Sequence, residues 1–205
     1  RGHALKKHAT HMLQFKPGSD VALLNSIMHV IIEDDLFNDE YIKKQTSGFD
    51  DLRRHLKNYP PEIMEEQTGI DADLIREVAH LYAKTSKGII FWGMGVSQHV
   101  HGTDNARCLI SLALMTGNVG RRGSGLHPLR GQNNVQGASD AGLIPMMYPD
   151  YQLVEKDDKQ NFFEKFWNTP LDNKKGLTVV EIMDAIHENT IKGMYILGEN
   201  PAMSD

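Results

Sequence analysis

Thiol chemistry is almost closed to this sequence. Its 205 residues hold one cysteine, Cys108. A lone thiol makes no internal disulfide and no Cys-x-x-Cys metal or redox pair. The flanking Ala106-Arg107 and Leu109-Ile110 suit a helix, so Cys108 reads as a buried, inert small residue, as free cysteines commonly are. No apolar run approaches the roughly 20 residues that span a bilayer. The start, Arg1-Gly2-His3-Ala4-Leu5-Lys6-Lys7, has no apolar stretch behind it of the kind a signal peptide carries. Basic excess is missing too: the formal net charge is -5, which weighs against nonspecific nucleic-acid binding. The ten histidines include no His-x-x-x-His pair on an amphipathic helix, and His99 and His101, two apart, would face different ways on one. Paired catalytic carboxylates, a Ser-His-Asp order, a Walker-type loop and zinc-ligand spacings are all lacking. No residue is therefore assigned as a metal ligand.

What remains is the material of a folded α/β protein. At 40% hydrophobic and 24% charged residues, the chain can build a core. Val21, Leu24, Ile27, Met28 and Ile31 recur at helical spacing behind a Ser19 or Asp20 cap. A short strand is expected over 11–15. Further helices are expected over 39–45, 49–57 and 61–67, the last with Pro61 in its first turn. Asp71 caps another, with Leu74, Ile75, Val78, Leu81 and Tyr82 on its apolar face. Gly88-Ile89-Ile90-Phe91-Trp92 is apolar without helical period and reads as a fully buried strand of a parallel sheet. It runs into Gly93-Met94-Gly95-Val96-Ser97-Gln98 and then a helix over 103–116, ended by Gly117-Asn118. Residues 119–157 form a long irregular segment with apolar anchors, expected to be a functional loop. Helices follow over 159–167 and 179–189, then a strand over 194–197 with Gly198-Glu199-Asn200-Pro201 turning off its end. The fold class is α/β: an open, mostly parallel sheet with helices on both faces, Rossmann-like. Three stretches are distinguished: a mainly helical lead-in over 1–87, the strand, turn and loop over 88–157, and helices with a last strand over 158–205.

The run Leu129-Arg130-Gly131-Gln132-Asn133-Asn134-Val135-Gln136-Gly137-Ala138-Ser139-Asp140 gathers a permanent cation, two glycines and a row of amides. Arg presents a planar fork that fits a carboxylate. Asn and Gln each donate and accept, so they can read a heterocycle edge. The Gly93-x-Gly95 turn falls short of a dinucleotide fingerprint, because Gln98 stands where a third glycine would. Ser97 and Gln98 nevertheless place polar groups where a backbone meets a helix N-terminus. Glu199 or Asn200, past a strand, could bond a ribose hydroxyl or a guanine. In open α/β sheets ligands bind beyond the carboxyl ends of the strands, so the Gly93–Gln98 turn, the Arg130 segment and the Gly198–Pro201 turn are expected to converge at one sheet edge. The residues alone give a nucleotide- or cofactor-binding domain with Arg130 aimed at an anion.

Several of these strings resemble the catalytic subunit of molybdenum- or tungsten-dependent formate dehydrogenases. They are Phe91-Trp92-Gly93-Met94-Gly95-Val96-Ser97-Gln98, Leu112-Ala113-Leu114-Met115-Thr116-Gly117-Asn118, the string from Leu129 to Gly137, Met147-Tyr148-Pro149-x-Tyr151-Gln152, and Leu197-Gly198-Glu199-Asn200-Pro201. The resemblance implies bis-molybdopterin guanine dinucleotide carrying molybdenum or tungsten. Arg130 would orient formate beside the metal. Gln132, next to Gly131, would contact a pterin, while Gly93, Met94 and Gln98 would line a dinucleotide. Gly198, Glu199 and Asn200 would lie near a guanine end.

The departures matter equally. The family's metal-binding cysteine or selenocysteine with its adjacent histidine is missing, and Cys108 does not match it. The cluster cysteines and the C-terminal cofactor domain are missing too. The chain is therefore expected to be an internal piece of a larger subunit, inactive alone, with a 4Fe-4S cluster in the full subunit but not here. The implied partners are formate and carbon dioxide, the remaining domains, and NAD-linked or iron-sulfur electron-transfer subunits, in a cytoplasmic setting without nucleic acid or membrane span. Two alternatives stay open: a sister molybdopterin oxidoreductase with another substrate, and a non-catalytic nucleotide-binding or assembly module.

Overall fold

In a computed structural model that describes residues 4–204, the chain divides into two compact units, Arg1–Gly131 and Gln132–Asp205. The first is built around α1 (Asp20–Glu33), which buries Leu23, Ile27, Met28, Val30 and Ile31. The Ser19 hydroxyl does not cap it by accepting an N–H; it donates instead to the Lys16 carbonyl at 2.6 Å. Then come α2 (Asp39–Gln45), α3 (Phe49–Leu56), α4 (Pro61–Thr68) and α5 (Ala72–Lys84). Their starts follow local chemistry. The Asn38 side chain accepts from the Tyr41 N–H, Pro61 opens α4, and the Asp71 carboxylate accepts from Asp73 and Leu74. Each relieves donors that a helix N-terminus leaves unpaired, or supplies none to begin with. α1 packs against α3, α4 and α5. At the rim, Arg76 reaches Glu33 at 2.8 Å and Glu62 at 2.7 Å, linking α5 to α1 and α4. Leu81, assigned above to the apolar face of α5, is exposed, whereas Ile75 and Ala79 carry the contact.

The expected strand over 11–15 does not form. Leu13 and Phe15 pack onto the helical core instead, and Lys16 N–H bonds the Thr68 carbonyl at 2.8 Å. A strand needs an edge to pair with, and this segment meets helices. β1 (Ile89–Trp92) pairs in parallel with β2 (Gly125–Pro128), Ile89 opposite Gly125 and Trp92 opposite Pro128. β1 is not buried on both faces as its apolar run suggests. Ile90 joins the core, but Phe91 is 59% exposed.

Between the strands come a one-turn helix, α6 (Met94–Ser97), and α7 (Gly102–Met115). α7 ends as its sequence predicts. Gly117 takes φ 66°, its N–H reaches Leu114, and the Asn118 N–H reaches Ala113, closing the last carbonyls around a left-handed glycine. Asn118 is fully buried. Its Oδ1 accepts from the Gly88 N–H at 3.0 Å, and its Nδ2 donates to Thr116 Oγ1 at 2.9 Å. Gly88 has little space: a Cβ there would lie 2.9 Å from the Tyr82 ring and 3.0 Å from Asn118 Nδ2. Its carbonyl accepts from Gly125 N–H, opening the β1–β2 ladder.

The second unit contains α8 (Val135–Asp140), a short antiparallel pair β3 (Met147–Tyr148) and β4 (Gln152–Leu153), α9 (Asp157–Trp167), α10 (Val179–His187) and α11 (Pro201–Ser204). The irregular segment expected over 119–157 thus holds short elements. Tyr148, Val154 and Phe163 form a small core, with Tyr148 and Phe163 rings 4.8 Å apart. α10 opens with a reciprocal cap between Thr178 and Glu181. The expected strand over 194–197 is absent, and Tyr195 is 88% exposed. Its residues favour a strand, but an isolated strand has no ladder to gain from. The parallel sheet among the described residues is therefore β1 and β2 alone, set in a helix-rich α/β chain.

Asn118→Ala removes the buried acceptor of the Gly88 N–H. It is expected to lower stability by about 2–3 kcal/mol, read by denaturant unfolding.

Candidate functional site

Parallel pairing brings two backbone exits to one edge. Trp92 lies opposite Pro128, and Leu129 N–H donates to the Trp92 carbonyl at 2.6 Å. The segments Gly93-Met94 and Leu129-Arg130-Gly131 therefore leave the sheet side by side, beyond its carboxyl end. Phe91 stacks on His127 across the pair, ring centres 5.0 Å apart. A Cβ on Gly93 would lie 3.8 Å from the Leu129 carbonyl oxygen, and a Cβ on Gly131 would lie 2.8 Å from the Met94 methyl. Met94 thus rests over the bare backbone of Gly131. Arg130 is exposed at this edge.

The turn itself differs from expectation. Residues 94–97 coil into α6 before α7 begins, so Ser97 and Gln98 sit at a helix C-terminus, not at an N-terminus. Ser97 Oγ donates to Gly93 O at 3.4 Å, and the Gln98 N–H donates to Met94 O at 2.8 Å. Gly102 permits this geometry, since a Cβ there would collide with the Ser97 carbonyl. Other α6 carbonyls are held from outside. His99 Nε2 bonds Gly95 O at 2.7 Å, and Asn105 Nδ2 donates to Val96 O at 2.8 Å. The first N–H groups of such a helix have no acceptor within it. A Cβ on Gly95 would meet nothing within 4 Å, so the backbone there is open to a ligand.

The remaining candidates belong to the second unit. Gln132 is its first residue and is exposed. Asn134 takes φ 55° at the N-cap of α8, and a Cβ on Gly137 would collide with its side chain. Gln136 Nε2 donates to Asp140 at 3.0 Å and to Tyr151 Oη at 2.9 Å. Asp150 and Tyr151 have φ 60° and 55°, consecutive left-handed residues of a kind concentrated at functional sites. Gly198, Glu199 and Asn200 are exposed in an irregular segment leading to α11, not at a strand end. The structure therefore gathers Gly93, Met94, Arg130 and Gly131 at one edge, with Gln98 closing the adjoining turn. The sequence reading missed Asn105. Its signal is visible: Asn105 shares the buried stripe of Cys108, Leu109 and Leu112, where an amide is out of place unless it has a partner.

A molybdopterin oxidoreductase family model matches residues 3–205. The chain is 45% identical over 199 residues to F420-dependent formate dehydrogenase subunit alpha of Methanocaldococcus jannaschii, covering 97% of this chain and 29% of that protein. It is 40% identical over 194 residues to formate dehydrogenase H of Escherichia coli, covering 94% and 27%. Among solved structures, acetylene hydratase from Pelobacter acetylenicus superposes with a TM-score of 0.58 at 26% identity, over 60% of this chain and 17% of that one. The chain spans less than a third of the length of these relatives.

Cys108 is buried on α7, and its Sγ lies 3.5 Å from Asn25 Oδ1. Burial, aided by the charge of Asp104, pushes its thiol from 9.0 up to about 11. Among the described residues no three His, Cys, Asp or Glu side chains gather as metal ligands, and no helix is long and apolar enough to cross a membrane. Since the thiolate is the nucleophile, iodoacetamide is expected to alkylate native Cys108 about a hundredfold more slowly at pH 7.5 than the unfolded chain. The rate should climb as pH approaches 11; mass spectrometry of timed samples reads it.

Proposed function

Because the chain belongs to the molybdopterin oxidoreductase family, we propose that it forms part of the cofactor cradle of a formate dehydrogenase α subunit, with Arg130 orienting the substrate. The observation that supports this reading is the β1–β2 register, which brings the backbone of the glycine turn and of the Leu129-Arg130 segment out at one carboxyl sheet edge. The residues suit the group. Gly95 offers open backbone where a pyrophosphate needs close approach, and Met94 offers an apolar surface beside it. Gly93, Met94 and Gln98 would line one dinucleotide arm, Gly131 and Gln132 a pterin, and Gly198, Glu199 and Asn200 a guanine. When bound, bis-molybdopterin guanine dinucleotide with molybdenum or tungsten supplies the redox centre for oxidation of formate to carbon dioxide.

Arg130 does the part of the work that belongs to this chain. Its fork holds both carboxylate oxygens, which fixes the C–H direction and offsets the anion's charge. The metal-binding cysteine or selenocysteine and the 4Fe-4S cluster would come from the rest of the subunit, and electrons would leave through NAD-linked or iron-sulfur partners in the cytoplasm. In this reading, residues 1–205 are an internal part of one domain, running from the helical lead-in over 1–87 through 88–157 to 158–205. The likeness to acetylene hydratase supports a second reading, a sister molybdopterin enzyme acting on another small substrate.

Arg130→Ala in the full-length subunit is expected to lower kcat/KM for formate about a hundredfold or more, the scale of losing one charge-stabilising contact, with metal content within twofold of wild type. Collapse of the metal content would make Arg130 structural. The isolated chain, supplied with cofactor, is expected to show no formate-dependent dye reduction; turnover would mean that the missing regions are not needed.

A further inference from the structure

The Gly93–Gln98 turn cannot hold its own shape. It carries two glycines, and a helix of one turn does not persist alone. What holds it comes from α7. Gly102 lets the first turn of α7 press against the Ser97 carbonyl without a side chain between them. One turn further on, Asn105 donates from Nδ2 to the Val96 carbonyl at 2.8 Å. Asn105 is 2% exposed, so its donor is shielded from water, while Val96 is half-buried. The clamp at Gly95, by contrast, comes from the exposed His99. An amide is a poorer helix former than the apolar residues around it, and α7 needs none at this position. Its partner lies outside α7, in the turn.

We propose that Asn105 is the positioning residue of the cofactor-binding turn: by fixing the Val96 carbonyl, it aims the Gly93–Gly95 backbone and Met94 at the dinucleotide. This rests on the cofactor reading above. The bond is directional, so it sets the rotation of α6 as well as its distance from α7. Rotation decides which way the N–H groups of Met94 and Gly95 point. Without the bond the turn still connects β1 to α7 but samples several orientations, and a ligand binding it must first order it.

The test uses the full-length subunit. Asn105→Asp keeps the shape and replaces the donor with an acceptor facing a carbonyl; Asn105→Ala removes the donor without adding charge, and carries the same comparison if the buried carboxylate unfolds the protein. Hydrogen exchange is followed on cofactor-free subunit, and released pterin and metal are measured on subunit purified from a cofactor-competent host. Exchange of the Ser97 and Gln98 amides is expected to quicken at least tenfold, with α1 and α5 unchanged, and pterin per subunit to fall at least fivefold. Unaltered exchange in the turn, or equal acceleration throughout α1 and α5, would overturn the assignment, the second by making Asn105 a general core residue. A loosened turn with full pterin content would overturn it as well. A wild-type subunit without pterin would instead overturn the functional reading itself, and needs no substitution to be seen.

Discussion

Two parallel strands must leave their sheet at the same edge, and here very few atoms decide where that edge lies. The Gly88 N–H is held by Asn118, and the Gly88 carbonyl by the Gly125 N–H. From there the ladder runs four residues to Trp92 and Pro128. A pair of short strands is marginal without cover. Its position is therefore inherited from α7, whose C-terminal cap delivers Asn118, and from α5, whose Tyr82 ring lies against Gly88. The exits at Gly93 and Leu129 follow without further instruction. An error at Gly88 would be carried the full length of both strands and would appear at Arg130.

Helix ends were legible in the sequence because their causes are local. Pro61, Asp71 and Gly117 each act within a few residues of themselves, and the structure starts or stops helices at all three. Strands at 11–15 and 194–197 were misread for the opposite reason. Their composition is suitable, but a strand exists only if another chain segment offers an edge. The same holds for β1, whose apolar run says nothing about how many faces are covered. The glycine turn and Arg130 were visible as unusual chemistry, and the expectation that both lie beyond the carboxyl end of a parallel sheet agrees with their backbone exits; the Gly198–Pro201 turn, expected at the same edge, follows no strand. α6 was not visible, since four residues carry no periodicity. Asn105 fell between: its place on an apolar stripe marked it as unusual, but its partner lay nine residues back, across a turn.

The units differ in how their apolar residues are covered. The first encloses Val30, Ile31, Ile75 and Ala79 completely. The second rests on Tyr148, Val154 and Phe163, while Phe162 and Phe166 on α9 stack on each other with their rings open. Small cores give little margin. Local devices compensate in part: the reciprocal Thr178–Glu181 cap, the Gln136 bonds to Asp140 and Tyr151, and the tight passage of Gly142 beneath Pro149.

Asn118 also bears on how the protein ages. Asparagine amides are among the chemically labile groups of proteins, and their loss to hydrolysis requires the side chain to swing onto the following backbone nitrogen. At Asn118 both amide atoms are engaged and no solvent reaches them. The exposed Asn133 has no such burial. A residue whose conversion to a carboxylate would disturb the sheet is thus one whose surroundings preserve it. Wear should appear first in the polar run after Arg130, while the β1–β2 ladder is still intact.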